Sequence, residues 1–135
     1  MSITDQTFVA AVRKRAAEAP DFVYPQPLVW SSHEQDYVES DDCLYVEPDP
    51  ETNELRGSCL LGCGLVDVGV DPVELVFDNE ATGFATALRR LRLNLSPPVV
   101  DWADAVQAAQ DMGCTWREAI TNADLDFPLP KGLSE

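Results

Sequence analysis

The sequence has little of what several common protein functions require. Nine Lys and Arg residues stand against 24 Asp and Glu residues, giving a formal net charge of -15. Direct nucleic-acid binding is not expected, because basic side chains on phosphates supply most of that affinity. No apolar run approaches the ~20 residues of a membrane span. Residues 1–15 place their basic side chains after the apolar stretch, the reverse of a secretory signal. We therefore expect a cytoplasmic protein without membrane contact.

Motifs for nucleotide binding and for catalysis are also missing. There is no G-x-G-x-x-G pattern and no phosphate-binding G-x-x-x-x-G-K sequence. The single histidine, His33, lies in the segment SSHEQD. Neighbouring serines and acids do not supply the spatial convergence that a hydrolase needs, so we interpret His33 as a solvated loop residue. The sequence predicts neither a catalytic site nor a bound cofactor.

Four cysteines raise the question of a metal site. Cys59 and Cys63 are spaced by one helical turn, and Cys43 precedes them in a predicted hairpin, which makes these three the candidate zinc ligands. However, there is no pair of C-x-x-C motifs, and unpaired cysteines are usually buried as small apolar residues. A reducing cytoplasm also disfavours disulfides. Ordinary thiols are the favoured interpretation, and a cysteine-dependent metal or redox module is the alternative.

With 135 residues, 45% of them hydrophobic, the chain is long enough for one domain over 1–135 whose core needs no disulfide or metal. Apolar residues recur at helical spacing between capping signals. Among them are the runs Phe84, Leu88, Leu91, Leu95 and Trp102, Ala105, Val106, Ala109, Met112. We predict helices over 5–19, 59–68, 80–94, 99–112 and 116–123, and a short one from Asp71 to about Phe77.

Capping residues give the most specific local signals. Thr4 is a suitable N-cap for the first helix, and Ser58 one for the second. Thr115 and Glu118 form the Thr-x-x-Glu capping box of the last helix, directly after Gly113, which can end the preceding one.

The remaining segments are predicted to be non-helical. Residues 20–42 are predicted to form a long irregular proline-containing connection. The segments 43–46 and 54–58 are predicted to be the strands of a β-hairpin, and 125–135 an extended tail. The predicted fold is a compact, mainly helical α+β domain with about five helices and one β-hairpin.

Acidic residues are concentrated in one part of the chain. Residues 16–88 contain sixteen acids and a single base, Arg56, whereas acids and bases balance elsewhere. Such a segment either keeps the protein soluble or steers it onto a basic partner surface. The candidate partner-binding residues are Trp30 and the acids of 33–54, namely Glu34, Asp36, Glu39, Asp41, Asp42, Glu47, Asp49, Glu51 and Glu54.

Four segments carry a resemblance to a known group. They are Phe22-Val23-Tyr24-Pro25, Cys43-Leu44-Tyr45-Val46, the stretch GSCLLGCGL at 57–65 and the stretch AAQDMGCTW at 108–116. Over about residues 15–123 the chain resembles small, functionally uncharacterised proteins encoded by actinobacteriophages and actinobacteria. The resemblance implies a phage accessory protein in an actinobacterial cytoplasm, and it transfers no catalytic residues.

Four functions are compatible with this sequence. The favoured hypothesis is a non-enzymatic phage accessory protein that binds and modulates a host protein with a basic surface. A sharper variant is a DNA mimic whose carboxylates occupy the DNA-binding surface of a host protein. The alternatives from other classes are the cysteine-dependent metal or redox module and an enzyme of unknown type.

Overall fold

A computed structural model describes residues 3–25, 28–39, 44–79, 83–130 and 132–133. They form a mainly helical single domain with two small antiparallel two-stranded sheets, which confirms the predicted fold class. The helices are α1 Asp5–Glu18, α2 Leu60–Asp67, α3 Pro72–Leu75, α4 Phe84–Leu91, α5 Pro97–Asp111 and α6 Trp116–Asp126. The strands are β1 Leu28–Ser31, β2 Asp36–Glu39, β3 Val46–Pro48 and β4 Leu55–Gly57.

Helix α1 begins as predicted and packs on α2. The Thr4 hydroxyl accepts from the Thr7 backbone N–H at 3.1 Å, and Thr7 Oγ1 accepts from the Thr4 backbone N–H at 2.9 Å, so the two residues form a reciprocal cap. Its buried face consists of Phe8, Val9, Val12 and Ala16. Gly64 on α2 meets this face, since a Cβ at Gly64 would lie 2.6 Å from Val12 Cγ2. The small residues of α2 therefore allow the two helices to approach closely.

Helix α2 has a different N-cap from the predicted one. Cys59 is the cap, and its Sγ accepts from the backbone N–H of Gly62 at 3.4 Å. The predicted cap, Ser58, is buried, and its Oγ lies 2.7 Å from the hydroxyl oxygen of Tyr24. The prediction was wrong because the Ser58 hydroxyl is engaged with Tyr24, and the next residue, Cys59, caps the helix instead.

Two further helix boundaries differ from the prediction. Helix α3 ends at Leu75 and continues as a 3-10 turn over Val76–Asn79. Helix α4 begins only at Phe84, after the N-cap Gly83, and it ends at Leu91 because Arg92 adopts a left-handed φ of 58°. The helix predicted over 80–94 was therefore too long, and its residues 80–82 lie outside the described residues.

Helices α5 and α6 run antiparallel. Trp102 Nε1 donates to Asp124 Oδ1 at 2.9 Å, and Trp116 Nε1 donates to Gln110 Oε1 at 3.0 Å, so the end of each helix lies beside the start of the other. Gly113, with a φ of 94°, allows the tight turn between them. Because α6 reaches Asp126, the extended tail begins two residues later than predicted.

Met112, the C-cap of α5, is exposed although the sequence places it on the apolar face of this helix. Met112 has 85% of its surface accessible, whereas Gln110 is buried. Gln110 Oε1 accepts from the Leu60 backbone N–H at 2.9 Å as well as from Trp116, so it joins α2, α5 and α6. Gln110 is therefore a buried polar link between three helices, which the apolar periodicity of α5 did not predict.

The β-structure is more extensive than predicted. The predicted hairpin exists as β3 and β4, but it pairs Val46 with Gly57 and Pro48 with Leu55, so its first strand starts three residues later than expected. A second hairpin, β1–β2, lies inside the segment 20–42, which was predicted to be irregular. Its strands combine β-branched and aromatic residues around a turn over 32–35, where Gln35 has a φ of 54°. None of the described helices is long and apolar enough to span a membrane.

Candidate interaction surface

The β1–β2 hairpin presents two aromatic side chains to solvent. Trp30 on β1 is opposite Tyr37 on β2. Their ring centroids are 5.4 Å apart in an edge-to-face arrangement, the favourable geometry for an aromatic pair. Trp30 is 59% exposed and Tyr37 63% exposed. The hairpin thus exposes an aromatic patch, which we define as the Trp30–Tyr37 pair.

Acidic side chains flank this pair. Glu34 in the turn and Asp36 on β2 are exposed, and neither takes part in an ion pair with another described residue. Asp36 Oδ1 accepts from the Tyr37 backbone N–H at 2.7 Å, and the Glu34 backbone N–H donates to Ser31 Oγ at 3.3 Å. The turn is therefore held by local hydrogen bonds while its carboxylates face water.

Three of the candidate acids lie partly or wholly outside the described residues. Glu39 ends β2 opposite Leu28, and its side chain is outside the described residues. Asp41 and Asp42 lie outside them altogether.

Glu47 and Asp49 on the β3–β4 hairpin are engaged within the protein. Glu47 is opposite Arg56, and the two side chains form an ion pair of 3.1 Å, while Asp49 lies 3.4 Å from the same guanidinium. Asp49 Oδ1 also accepts from the backbone N–H groups of Glu51 and Thr52. These two hydrogen bonds, with Arg56, lower the pKa of Asp49. Both acids therefore organise the hairpin.

Glu51 and Glu54, in contrast, are exposed in this turn. Within the described part of the chain they form no ion pair. Together with Glu34 and Asp36 they are the candidate acids that remain accessible to a partner.

Folding also brings bases to acids elsewhere in the acidic segment. Arg15 of α1 pairs with Asp67 at 2.6 Å, Arg90 of α4 with the buried Asp78 at 2.6 Å, and Arg117 with Asp21 at 3.6 Å. The sequence places each base outside the acidic segment, so this neutralisation was not foreseen. Its consequence is that Asp21, Asp67 and Asp78 do not add to the uncompensated negative charge of this segment.

Two of the three described cysteines, Cys59 and Cys63, are buried. Cys59 caps α2, and the Cys63 thiol donates to the Ser58 carbonyl with a separation of 3.7 Å. Burial raises the pKa of Cys63 to about 11, so its thiolate, the metal-binding and nucleophilic form, is disfavoured. Cys114 is partly exposed, and the third candidate ligand, Cys43, lies outside the described residues. Among the residues that are described, no three His, Cys, Asp or Glu side chains come together in a metal-binding group.

The remaining candidate residues from the sequence are the histidine and the tryptophans. His33 is exposed in the β1–β2 turn, as expected for a loop residue. Trp102 and Trp116 are buried, and each indole N–H has a hydrogen-bond acceptor, whereas Trp30, for which a place in the core was also the favoured interpretation, is exposed. Tyr37, the partner of Trp30, was not singled out, although alternation around the turn is the signal that could have found it.

The comparisons with known proteins give no match. No protein-family model matches the chain, and neither the curated proteins nor the solved structures contain a similar one at the thresholds applied. The geometry of the molecule must therefore carry any functional inference.

Proposed function

We propose that this protein is a non-enzymatic phage accessory protein that binds a host protein in the actinobacterial cytoplasm and modulates it. The observation that carries the proposal is the exposed Trp30–Tyr37 pair with accessible carboxylates beside it. Tyr and Trp are the residues that most often dominate binding energy at protein interfaces. The actinobacterial setting is supported by the resemblance alone.

The charge of the surface indicates the chemistry of the partner. Glu34 and Asp36 flank the aromatic pair, and no Lys or Arg occurs between residues 33 and 54. A basic surface would be attracted over a distance by the summed negative field and would then be held by the aromatic contact. The partner is thus a protein whose contact surface carries Lys or Arg around an apolar depression.

The test is affinity purification from an actinobacterial lysate with three tagged forms of the protein. The wild type is compared with W30A/Y37A and with V73S, which alters an exposed apolar residue on α3. The wild type and V73S should retain the same partner at low salt and lose part of it at high salt. W30A/Y37A should not retain it. Equal recovery on all three forms would refute the hairpin as the contact surface.

Kinetics with the purified partner separate the roles of charge and aromatic contact. E34Q/D36N should slow association and flatten its salt dependence, whereas W30A should mainly speed dissociation. R56Q, which removes one positive charge and so makes the net charge more negative, should not slow association. Competition by duplex DNA for the same partner would instead indicate the DNA-mimic alternative.

A further inference from the structure

A groove lies between α5 and α6 on the outer surface of this helix pair. It has a volume of about 410 Å³, and its walls are mostly apolar. Its lining includes Ala105, Ala108, Ala109, Met112, Cys114 and Phe127. We propose that this groove is a second docking site, which takes a basic amphipathic helix from a partner protein.

The groove carries apolar side chains that the domain itself leaves uncovered. Met112 is 85% exposed and Phe127 43% exposed, and Leu125, close by on α6, is 75% exposed. Met112 and Phe127 line the groove together with three alanines, whose small side chains leave space for a third helix to approach the pair. Methionine adapts to different apolar partners because it is unbranched and flexible. An amphipathic helix in an apolar groove is a common mode of peptide recognition.

Negative charge at one end of the groove specifies the occupant. Asp126 lines the groove, and Asp101 and Asp104 lie one helical turn before Ala105 and Ala108 on α5. Since α5 and α6 are antiparallel, the start of α5 and the end of α6 lie at the same end. None of these three acids takes part in an ion pair with another residue of the described part of the chain.

Electrostatics therefore favour a basic occupant over a second copy of this chain. Burial raises the pKa of Asp104, and the nearby Asp101 raises it further, so a cation placed here would relieve an existing repulsion. A second copy would bring a chain with a net charge of -15 to an already acidic site. A helix with Leu on one face and Lys or Arg on its flanks would pack its leucines on the apolar floor and pair its basic side chains with the acids at the end of the groove.

The probe for the test is a synthetic helical peptide with Leu at i, i+3, i+4 and i+7 and Lys at the remaining positions. Cys114 lines the groove and is partly exposed, so its alkylation, followed by mass spectrometry of the Cys114 peptide, reports occupancy. The peptide should slow Cys114 alkylation by at least about tenfold at saturation. A scrambled peptide of the same composition, without an apolar stripe, should bind at least about tenfold more weakly.

Variants of the protein locate the binding. A108R fills the exposed groove floor and adds a positive charge to it, so it should abolish the protection of Cys114, while circular dichroism checks that the helices are retained. D101N/D126N should weaken binding at low salt and flatten its salt dependence. W30A/Y37A should bind the peptide like the wild type, which separates this proposal from the function proposed for the hairpin.

Four results would overturn the proposal: equal binding of the scrambled peptide, unchanged binding by A108R, unchanged binding and salt dependence in D101N/D126N, or no protection at any soluble peptide concentration. A dimer that protects Cys114 without peptide would also overturn it, in favour of a second copy as the occupant.

Discussion

Gly62 of α2 lies in close contact with the backbone of Tyr45. A Cβ there would lie 1.9 Å from the carbonyl oxygen of Tyr45 and 2.7 Å from its carbonyl carbon. Backbone atoms cannot turn away as a side chain can. Tyr45, the residue directly before β3, is therefore held against α2 at a distance that only glycine permits.

We predict that G62A destabilises the protein by about 3 kcal/mol, because the hairpin must move away from α2. Urea unfolding followed by circular dichroism measures this loss. G83A is the matched control, since a Cβ at Gly83 would meet none of the described residues within 4 Å. Its effect should stay within about 1 kcal/mol. Equal effects of the two substitutions would contradict the close contact at Gly62.

Cys63 gives a residue-scale prediction on pH. Burial raises its pKa from the ordinary 9.0 to about 11, so the folded protein binds this proton more tightly than the unfolded chain does. The stabilisation is complete below about pH 9 and is lost as the pH rises through about 11. It should amount to roughly 3 kcal/mol at most.

The measurement is the free energy of unfolding of wild type and C63A across this alkaline range. The wild type should lose more stability than C63A as the pH rises. If the free energy of unfolding changed with pH equally in both proteins, ionisation of Cys63 would not contribute to the loss of stability.

At the scale of elements, Arg13 links α1 to α5, to α6 and to the C-terminal tail. Its guanidinium pairs with Asp124 of α6 through bonds of 2.8 and 2.9 Å, lies 5.2 Å from the ring centre of Trp102 on α5, and donates to the Leu133 carbonyl at 3.1 Å. Burial alone would raise the pKa of Asp124, but the hydrogen bonds from Arg13 and Trp102 outweigh it and lower that pKa.

We predict that R13M costs about 2 kcal/mol, since it removes a charge-assisted pair and a cation–π contact that are only partly exposed. K14M, at the exposed neighbouring position, should change stability by less than about 0.5 kcal/mol. The contribution of Asp124 is present above the ordinary carboxyl pKa and is lost as the pH falls through its lowered value. The difference between wild type and R13M should accordingly shrink in acid, and a constant difference would contradict the role of this pair.

Elements with local signals were predictable from the sequence, whereas the β1–β2 hairpin was not. Thr4, and Thr115 with Glu118, cap their helices as expected, because a cap is made by residues three apart. The prolines of the segment 20–42 favoured an irregular connection, and strand pairing between Trp30 and Tyr37 overrode that preference.

At the scale of the whole molecule, the net charge of -15 opposes compactness. We predict that raising NaCl from about 10 mM to about 0.5 M raises the melting temperature, because salt screens repulsion among exposed carboxylates. E34Q/D36N/E51Q/E54Q should melt higher at low salt and respond less to NaCl. Differential scanning calorimetry measures both effects. A melting temperature that falls with NaCl would instead show that the ion pairs dominate.

The sequence by itself determined the helical character of the domain, most helix faces and the acidity of residues 33–54, since these depend on composition, periodicity and nearest neighbours. Only the tertiary structure decided which carboxylates remain accessible. Arg15 and Arg90 are distant in sequence from the acids Asp67 and Asp78 that they neutralise. Helix α5 is a second example. Its polar residue Gln110 is buried and accepts a hydrogen bond from the backbone of Leu60, fifty residues away, whereas the apolar Met112 is exposed. Contacts at such separation follow from chain topology, which no local pattern encodes.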